Sequence, residues 1–385
     1  MQYEPAARLP VHSRGGSRRW LFLILFLVIA AGGWSAFWFY AADRANTALV
    51  GWLQREERAG RVYSCGSQSL GGFPFRIEVR CRGAAAELRA LNPPLSLRLN
   101  DVLVAAQIYQ PTLLIGEWSG PLTVSENGHQ PTMTASWALA QTSVRGQPRA
   151  PERVSIVLDR PVVDRAQAGT TERLLAANGA EIHGRIVSGT ARENPVIDIA
   201  MRANALSAGP LHPILAAATD AEIDATLRGL EDFSPKPWSA RFREIHERNG
   251  RIEIRSARVR QTDWAAAGAG SLGLSPSGRL DGELRITVAG VEKLLQQIGV
   301  DGLTRPGSEN REKMNDAFNA LDRIAPGLGG LAREKAAPAI AAGAVAMLGQ
   351  PAELDGRKAV TLPLRFQDGA IFLGPIRVGQ TAPLF

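Results

Sequence analysis

From Trp20 to Ala42 the chain reads WLFLILFLVIAAGGWSAFWFYAA, 23 residues without a charge. At about 1.5 Å rise per residue, a helix of that length crosses a hydrocarbon core of roughly 30 Å with room for tilt. Trp20 at one end, and Trp38 with Tyr40 at the other, set amphipathic rings where the two interfaces would lie. Arg8, Arg14, Arg18 and Arg19 precede the segment, while Arg44 and Arg55 follow within a similar distance. That bias predicts a cytoplasmic tail over 1–19, a span over 20–42 and an exported remainder. A cleaved signal peptide would have a shorter apolar core and a small-x-small site. Ala30 and Gly32 offer such a site, yet apolar residues continue well past it. Ser17-Arg18-Arg19-Trp20-Leu21-Phe22 also approaches a twin-arginine export signal, although two arginines ahead of an ordinary anchor account for the same residues. No later stretch is apolar for 18 residues, so one span is expected. Residues 43–60 place Leu49, Trp52, Leu53 and Glu56 at helical spacing and predict an amphipathic linker helix that continues the anchor.

An exported domain meets an oxidising space, where disulfides persist. The chain has two cysteines, both in CGSQSLGGFPFRIEVRC, residues 65–81. Residues 61–69 and 75–82 suit strands, the second alternating Phe75, Ile77, Val79 and Cys81 on one face. A hairpin turning at Gly71, Gly72, Phe73 and Pro74 sets Cys65 directly opposite Cys81, close enough for a bond. A redox or zinc pair is the alternative, but Cys-x-x-Cys and neighbouring histidines are both missing from the sequence around them.

Strand patterns dominate the rest of the chain. Residues 95–111 alternate until Pro111, and 112–118, 121–126, 132–140, 153–159 and 195–203 read similarly. Asn127-Gly128, Asn178-Gly179 and Asn249-Gly250 are turn dipeptides. Two hairpins are explicit, 264–290 about Ser275–Gly278 and 360–379 about Asp368-Gly369. Helical patterns occur at 237–248, 291–299 and 309–325, and in a Gly/Ala-rich stretch over 326–350. The expected fold is mainly β or α+β: one N-terminal transmembrane helix, then a large antiparallel β-rich periplasmic domain (61–385) with a late helical cluster. A division into two subdomains would fall near 205–235.

The charge does not point to nucleic acid. Net charge is +7, but 39 of the 44 basic residues are arginine, and the first nineteen residues contribute +3 of the total. The remaining charge is spread thinly, with no dense basic run, so nucleic-acid partners are not expected.

Catalytic motifs fare no better. Gly268-Ala-Gly270-Ser-Leu-Gly273 matches the dinucleotide fingerprint and nears a nucleophile elbow at Ser271, yet a second strand comes next where either motif requires a helix. Ser271 would need a histidine, and His12, His129, His183, His212 and His246 carry no family pattern. Asp198, Glu222, Asp224 and Asp263 sit on strand-like segments, where alternation makes them outward polar residues more often than an acid/base pair. No metal motif, cofactor loop or catalytic set is expected. A long antiparallel sheet with one apolar face must instead cover it with helices, another sheet or a ligand such as acyl chains.

Gly71-Gly72-Phe73-Pro74-Phe75-Arg76 before Cys81, Tyr109-Gln110-Pro111, Gly278-Arg279-Leu280-Asp281-Gly282, and Asp368-Gly369 with Leu373-Gly374-Pro375 together resemble a bacterial envelope family known as domain of unknown function 2125. The Gly-Arg-Leu-Asp-Gly hairpin is also similar to hairpins of AsmA-type envelope proteins. The first resemblance implies an anchored protein of the inner membrane facing the periplasm and supplies no activity; the second implies lipid handling. The expected function is therefore non-catalytic, in envelope maintenance or the binding of phospholipid or another hydrophobic ligand. The alternatives are a periplasmic hydrolase using Ser271 and a structural scaffold for envelope partners.

Overall fold

The computed structural model describes residues 17–126, 129–147, 150–167, 169–234, 236–298, 349–373 and 376–385. The span and the linker helix merge: α1 runs without interruption over Ser17–Arg58. It is long and apolar enough near its start to cross a membrane. Gly60, at φ +77°, turns the chain into the sheet.

Among the described residues twenty strands form one antiparallel sheet. The first ten are β1 (Arg61–Gly71), β2 (Arg76–Leu88), β3 (Leu95–Gln107), β4 (Gln110–Ser119), β5 (Leu122–Glu126), β6 (Met133–Ser136), β7 (Leu139–Gln147), β8 (Ala150–Asp159), β9 (Val162–Gln167) and β10 (Thr170–Ala176). The rest are β11 (Gly179–Thr190), β12 (Glu193–Leu206), β13 (Thr219–Leu227), β14 (Ile252–Arg260), β15 (Ala265–Leu274), β16 (Leu280–Ala289), β17 (Gln350–Leu354), β18 (Arg357–Gln367), β19 (Ala370–Leu373) and β20 (Ile376–Gln380). Helices α2 (Trp238–Glu247) and α3 (Val291–Ile298) interrupt them. The expected helix at 309–325, nearly all of that at 326–350 and the Asn127-Gly128 turn lie outside the described residues.

The sheet is a meander. Its main course is β1–β2–β3–β4–β7–β8–β11–β12–β13–β14–β15–β16–β18–β19–β20. A corner splits four of the long strands: β4 from β5 at Gly120-Pro121, β6 from β7 at Trp137-Ala138, β8 from β9 at Arg160-Pro161, and β10 from β11 at Ala177-Asn178. Beyond it the outer halves pair in the same sequence, β3–β5–β6–β9–β10. Trp137 seals the corner, its indole N–H donating to Trp118 O at 2.6 Å while its ring packs over Gly120, which has no Cβ to obstruct it. Asn178-Gly179 therefore marks a corner rather than a hairpin. Pro111, expected to end a strand, lies inside β4. In the 205–235 region β13 pairs with both β12 and β14, so the ladder is continuous there.

The first hairpin corrects the expected register. Arg76 N–H donates to Gly72 O at 3.0 Å and Gly71 pairs with Glu78, so the hairpin is centred just beyond Pro74 rather than on Phe73. Cys65 thus pairs with Ala84, and Cys81 with Gln68. The disulfide Cys65–Cys81 forms nonetheless, with Cα atoms 5.4 Å apart, beside Gly66 and Gly83, the two positions the ladder skips. It closes a loop with a sequence separation of 16. Replacing both cysteines by serine is expected to cost about 3 kcal/mol by the loop-entropy argument. A urea midpoint lowered without change of slope checks it.

Candidate functional site

Because side chains alternate, residues paired in register share a face of the sheet. One row runs Leu70–Val79–Val104–Gly116–Thr142–Ile156–Ile182–Met201–Ile223–Ala257–Gly268–Ile286–Leu362, thirteen strands in succession. The next row on that face, from β8 onward, is Val154–Gly184–Ile199–Ala225–Ile254–Gly270–Leu284–Leu364. At about 4.8 Å between strands, the apolar face extends for roughly 55 Å. Its middle is open: Val154, Ile182 and Met201 are 37%, 43% and 42% exposed. The wholly buried cluster lies elsewhere, around Ala265, Ala289, Leu354 and Ala359.

Across β11–β14 the opposite face is polar and fixes the register. Glu181, Arg202, Glu222 and Arg258 lie across four consecutive strands in alternating sign. A one-residue slip would carry this set onto the apolar side. Asp198 is the hub of the same face: its carboxylate accepts from Thr226 Oγ1 at 2.7 Å, Arg185 Nη2 at 2.9 Å and Arg255 Nη1 at 2.7 Å. Those three donors, Thr226 foremost, hold its pKa well below the usual carboxylate range. A depressed carboxylate pKa stabilises the fold above the unfolded value of about 4, and that stabilisation is lost as pH falls below it. Asp198→Asn is expected to cost about 1–2 kcal/mol at pH 7, since the two arginines are half exposed and rehydrate. The difference from the parent chain should narrow steadily below pH 4 in denaturant titrations.

One end of the apolar face is covered by α2. Its insertion between β13 and β14 has a narrow neck at Gly229 (φ +95°) and Gly250; a Cβ on Gly229 would lie 2.3 Å from the Cα of Gly250. Glu244 ties the helix down, accepting from Glu231 N–H, Lys236 Nζ and Arg241 Nη1, each at 2.7 Å. Hydrogen bonds to Glu244 and Glu231 push the Lys236 ammonium up to about 12. Between the helix and the sheet lies a cavity of about 450 Å³, walled by Ile197, Leu227, Ile252 and Leu272 below and by Trp238 and Phe242 above. Its size suits one apolar ligand segment.

Among the described residues no hydrogen bond joins Ser271 to a histidine. Ser271 sits on the polar face of β15 between Glu253 and Glu283 in register, in a hairpin with β16 as the Gly-x-Gly-x-x-Gly spacing and its following strand imply. Of the four described histidines, His129 follows β5 with its N–H donating to Glu126 O, His183 lies 3.2 Å from Glu181, His212 accepts from Ile214 N–H, and His246 bonds to Leu274 O; His12 is outside the described residues. Glu222 pairs with Arg202 at 3.8 Å and Asp224 with the Ser256 hydroxyl at 3.4 Å. Asp263, expected on a strand, lies in the turn before β15. Among the described residues no group of three or more His, Cys, Asp or Glu side chains is arranged to hold a metal.

Gly72, Phe73 and Pro74 lie in the hairpin tip and Gly71 is the last residue of β1, but sequence reading missed what the tip touches. Trp34 Nε1 donates to Pro74 O at 2.8 Å and Trp38 Nε1 to Arg76 O at 2.9 Å. The Trp38 and Phe73 rings meet edge to face at 5.6 Å, and Trp52 stacks on Tyr63 at 5.0 Å. So β1 runs back along α1 as far as the apolar segment. The only sequence signal was the spacing of tryptophans on a helix already accounted for by the membrane.

The class so defined is a disulfide-bonded β-meander with one apolar face open at its middle, preceded by a helix long and apolar enough to cross a membrane. The family described as "uncharacterized protein conserved in bacteria (DUF2125)" matches residues 38–382, nearly the whole chain, and the protein belongs to it. No curated protein matches the chain.

Proposed function

We propose that this is a non-catalytic protein of the bacterial inner membrane, its sheet on the periplasmic side, which holds phospholipid acyl chains on the apolar face in the service of envelope maintenance. The observation that carries the reading is the open middle of that face. Ten of the thirteen residues in the long row carry apolar side chains, and Ile182 and Met201, adjacent on β11 and β12, are each more than 40% exposed. An apolar surface of this extent on a stable protein calls for an occupant. The disulfide suits an oxidising compartment, and the arginines ahead of α1 suit a cytoplasmic N-terminus.

The test places photoreactive benzoylphenylalanine at Met201 in the full-length chain, irradiates intact cells and weighs the products. A phospholipid adduct at Met201, and none from the same group at Glu222 on the polar face, is the expected result. Protein adducts alone at Met201 would replace the lipid reading with that of a scaffold.

A further inference from the structure

We infer that the tip of the first hairpin, Phe73–Phe75, is seated in the lipid leaflet facing the sheet, as a second membrane-contact element beside α1. The inference rests on α1 crossing a bilayer, and it is independent of what the apolar face holds. Arg19 and Asp43 bound the uncharged part of the helix, and about 36 Å separates them at helical rise, against a hydrocarbon core of roughly 30 Å. Trp34 stands about 22 Å from Arg19 and about 13 Å from Asp43. Wherever the core sits between those charges, Trp34 lies roughly 7–13 Å inside its edge, and Trp38 roughly 1–7 Å inside. A tilt of about 20° shortens the helix projection by only about 2 Å and leaves both within. Pro74 O is bonded to Trp34 and Arg76 O to Trp38, so the tip is carried to the same depths.

The chemistry of the tip fits that place. Backbone carbonyls are costly in lipid unless they have donors. Here Gly72 O accepts from Arg76 N–H, Pro74 O and Arg76 O from the two indoles, and Phe75 O from Ile108 N–H. Pro74 itself has no N–H to leave unpaired. Phe73 and Phe75 set their rings against Trp38 and Trp34 of α1 and still remain 53% and 63% exposed. Arg76, the first charge after them, reaches Glu78 at 2.6 Å, toward the sheet and away from the tip. Tyr109, 70% exposed on the adjoining β3–β4 turn, suits the interface just above.

The native cysteines are both bonded, so a single introduced thiol can be labelled. The full chain carrying Phe75→Cys, or Phe73→Cys as a second position, is labelled with an environment-sensitive fluorophore in phosphatidylcholine nanodiscs holding no other protein. Val28→Cys in mid-helix and Leu91→Cys on the β2–β3 turn serve as lipid and water references. At the tip, quenching by doxyl-labelled lipid as strong as at Val28, and iodide quenching at least about threefold weaker than at Leu91, are expected for a group inside the core. Tip labels quenched like Leu91, with Val28 in lipid, overturn the inference while leaving the span intact. Val28 and the tip both in water overturn the span and the inference together.

Discussion

Replacing Ile182 and Met201 together by aspartate is expected to lower the yield of phospholipid crosslinked at a photoreactive group in place of neighbouring Ile223 by at least tenfold, with the fold retained. The two side chains are cross-strand partners on the open part of the apolar face, and Met201 is in turn paired with Ile223. Each is more than 40% exposed, so the substitutions remove little buried surface and cost the fold about 1 kcal/mol each through strand propensity. An acyl chain lying there would have to strip water from two carboxylates. Desolvating an unpaired charge costs several kcal/mol, and about 1.4 kcal/mol suffices for a tenfold change in occupancy. Arg202→Gln with Glu222→Gln, on the polar side of the same strands, is the control and should leave the yield unchanged. Equal yields from all three proteins would refute acyl-chain binding on this face.

The strands themselves were legible in the sequence because period-two alternation is a local signal, and in a meander most strands pair with a strand adjacent in the chain. The 264–290 and 360–379 hairpins needed no distant information, and their turns fall at Ser275–Gly278 and Asp368-Gly369. Register was less accessible. A shift of the first turn by a residue and a half separated Cys65 from Cys81 in the ladder, since the Gly72–Arg76 hydrogen bond, invisible in the sequence, decides where the turn closes. The corner through Gly120-Pro121 and Arg160-Pro161 is likewise a tertiary event: each half-strand alternates as well as a whole one. The apolar face could be anticipated as a class of surface, but not its open middle, because exposure depends on where α2 lands. The hairpin that carries Ser271 had a sequence basis, a strand where a helix was required. The acidic residues Asp198 and Glu222 show the same logic, since alternation places them outward and the register then supplies their arginines.

Tryptophans make the limit plain, and with it the largest expected loss of stability. Trp264 and Trp238 look alike in the sequence, each beside an apolar segment, yet Trp264 is 3% exposed and Trp238 77%. Trp264 sits where β15 begins, and its indole N–H is shared between Gln261 Oε1 at 3.0 Å and Gln297 Oε1 at 2.8 Å. Gln261 in turn donates to Thr219 Oγ1 at 2.7 Å and Ile214 O at 2.6 Å. One ring thus joins α3, the Pro213–Ala216 turn and the ends of β13, β14 and β15. Trp264→Ala removes that ring and the donor to Gln297 Oε1, while Gln297 Nε2 still donates to Gln261 Oε1 at 3.0 Å, for an expected loss of about 3–5 kcal/mol. In a sheet of this size the melting temperature should fall by roughly 10 °C. Trp264→Phe keeps most of the packing and loses only the indole hydrogen bonds, so it should lose about 1–2 kcal/mol. Trp238→Ala, which exposes little new surface, should stay within about 1 kcal/mol of the parent. Thermal and urea unfolding of the three variants in the full-length chain would check the order. If Trp264→Ala proved as mild as Trp238→Ala, the junction would be held by the β-ladder alone, and the buried glutamine pair would have no part in setting where α3 docks.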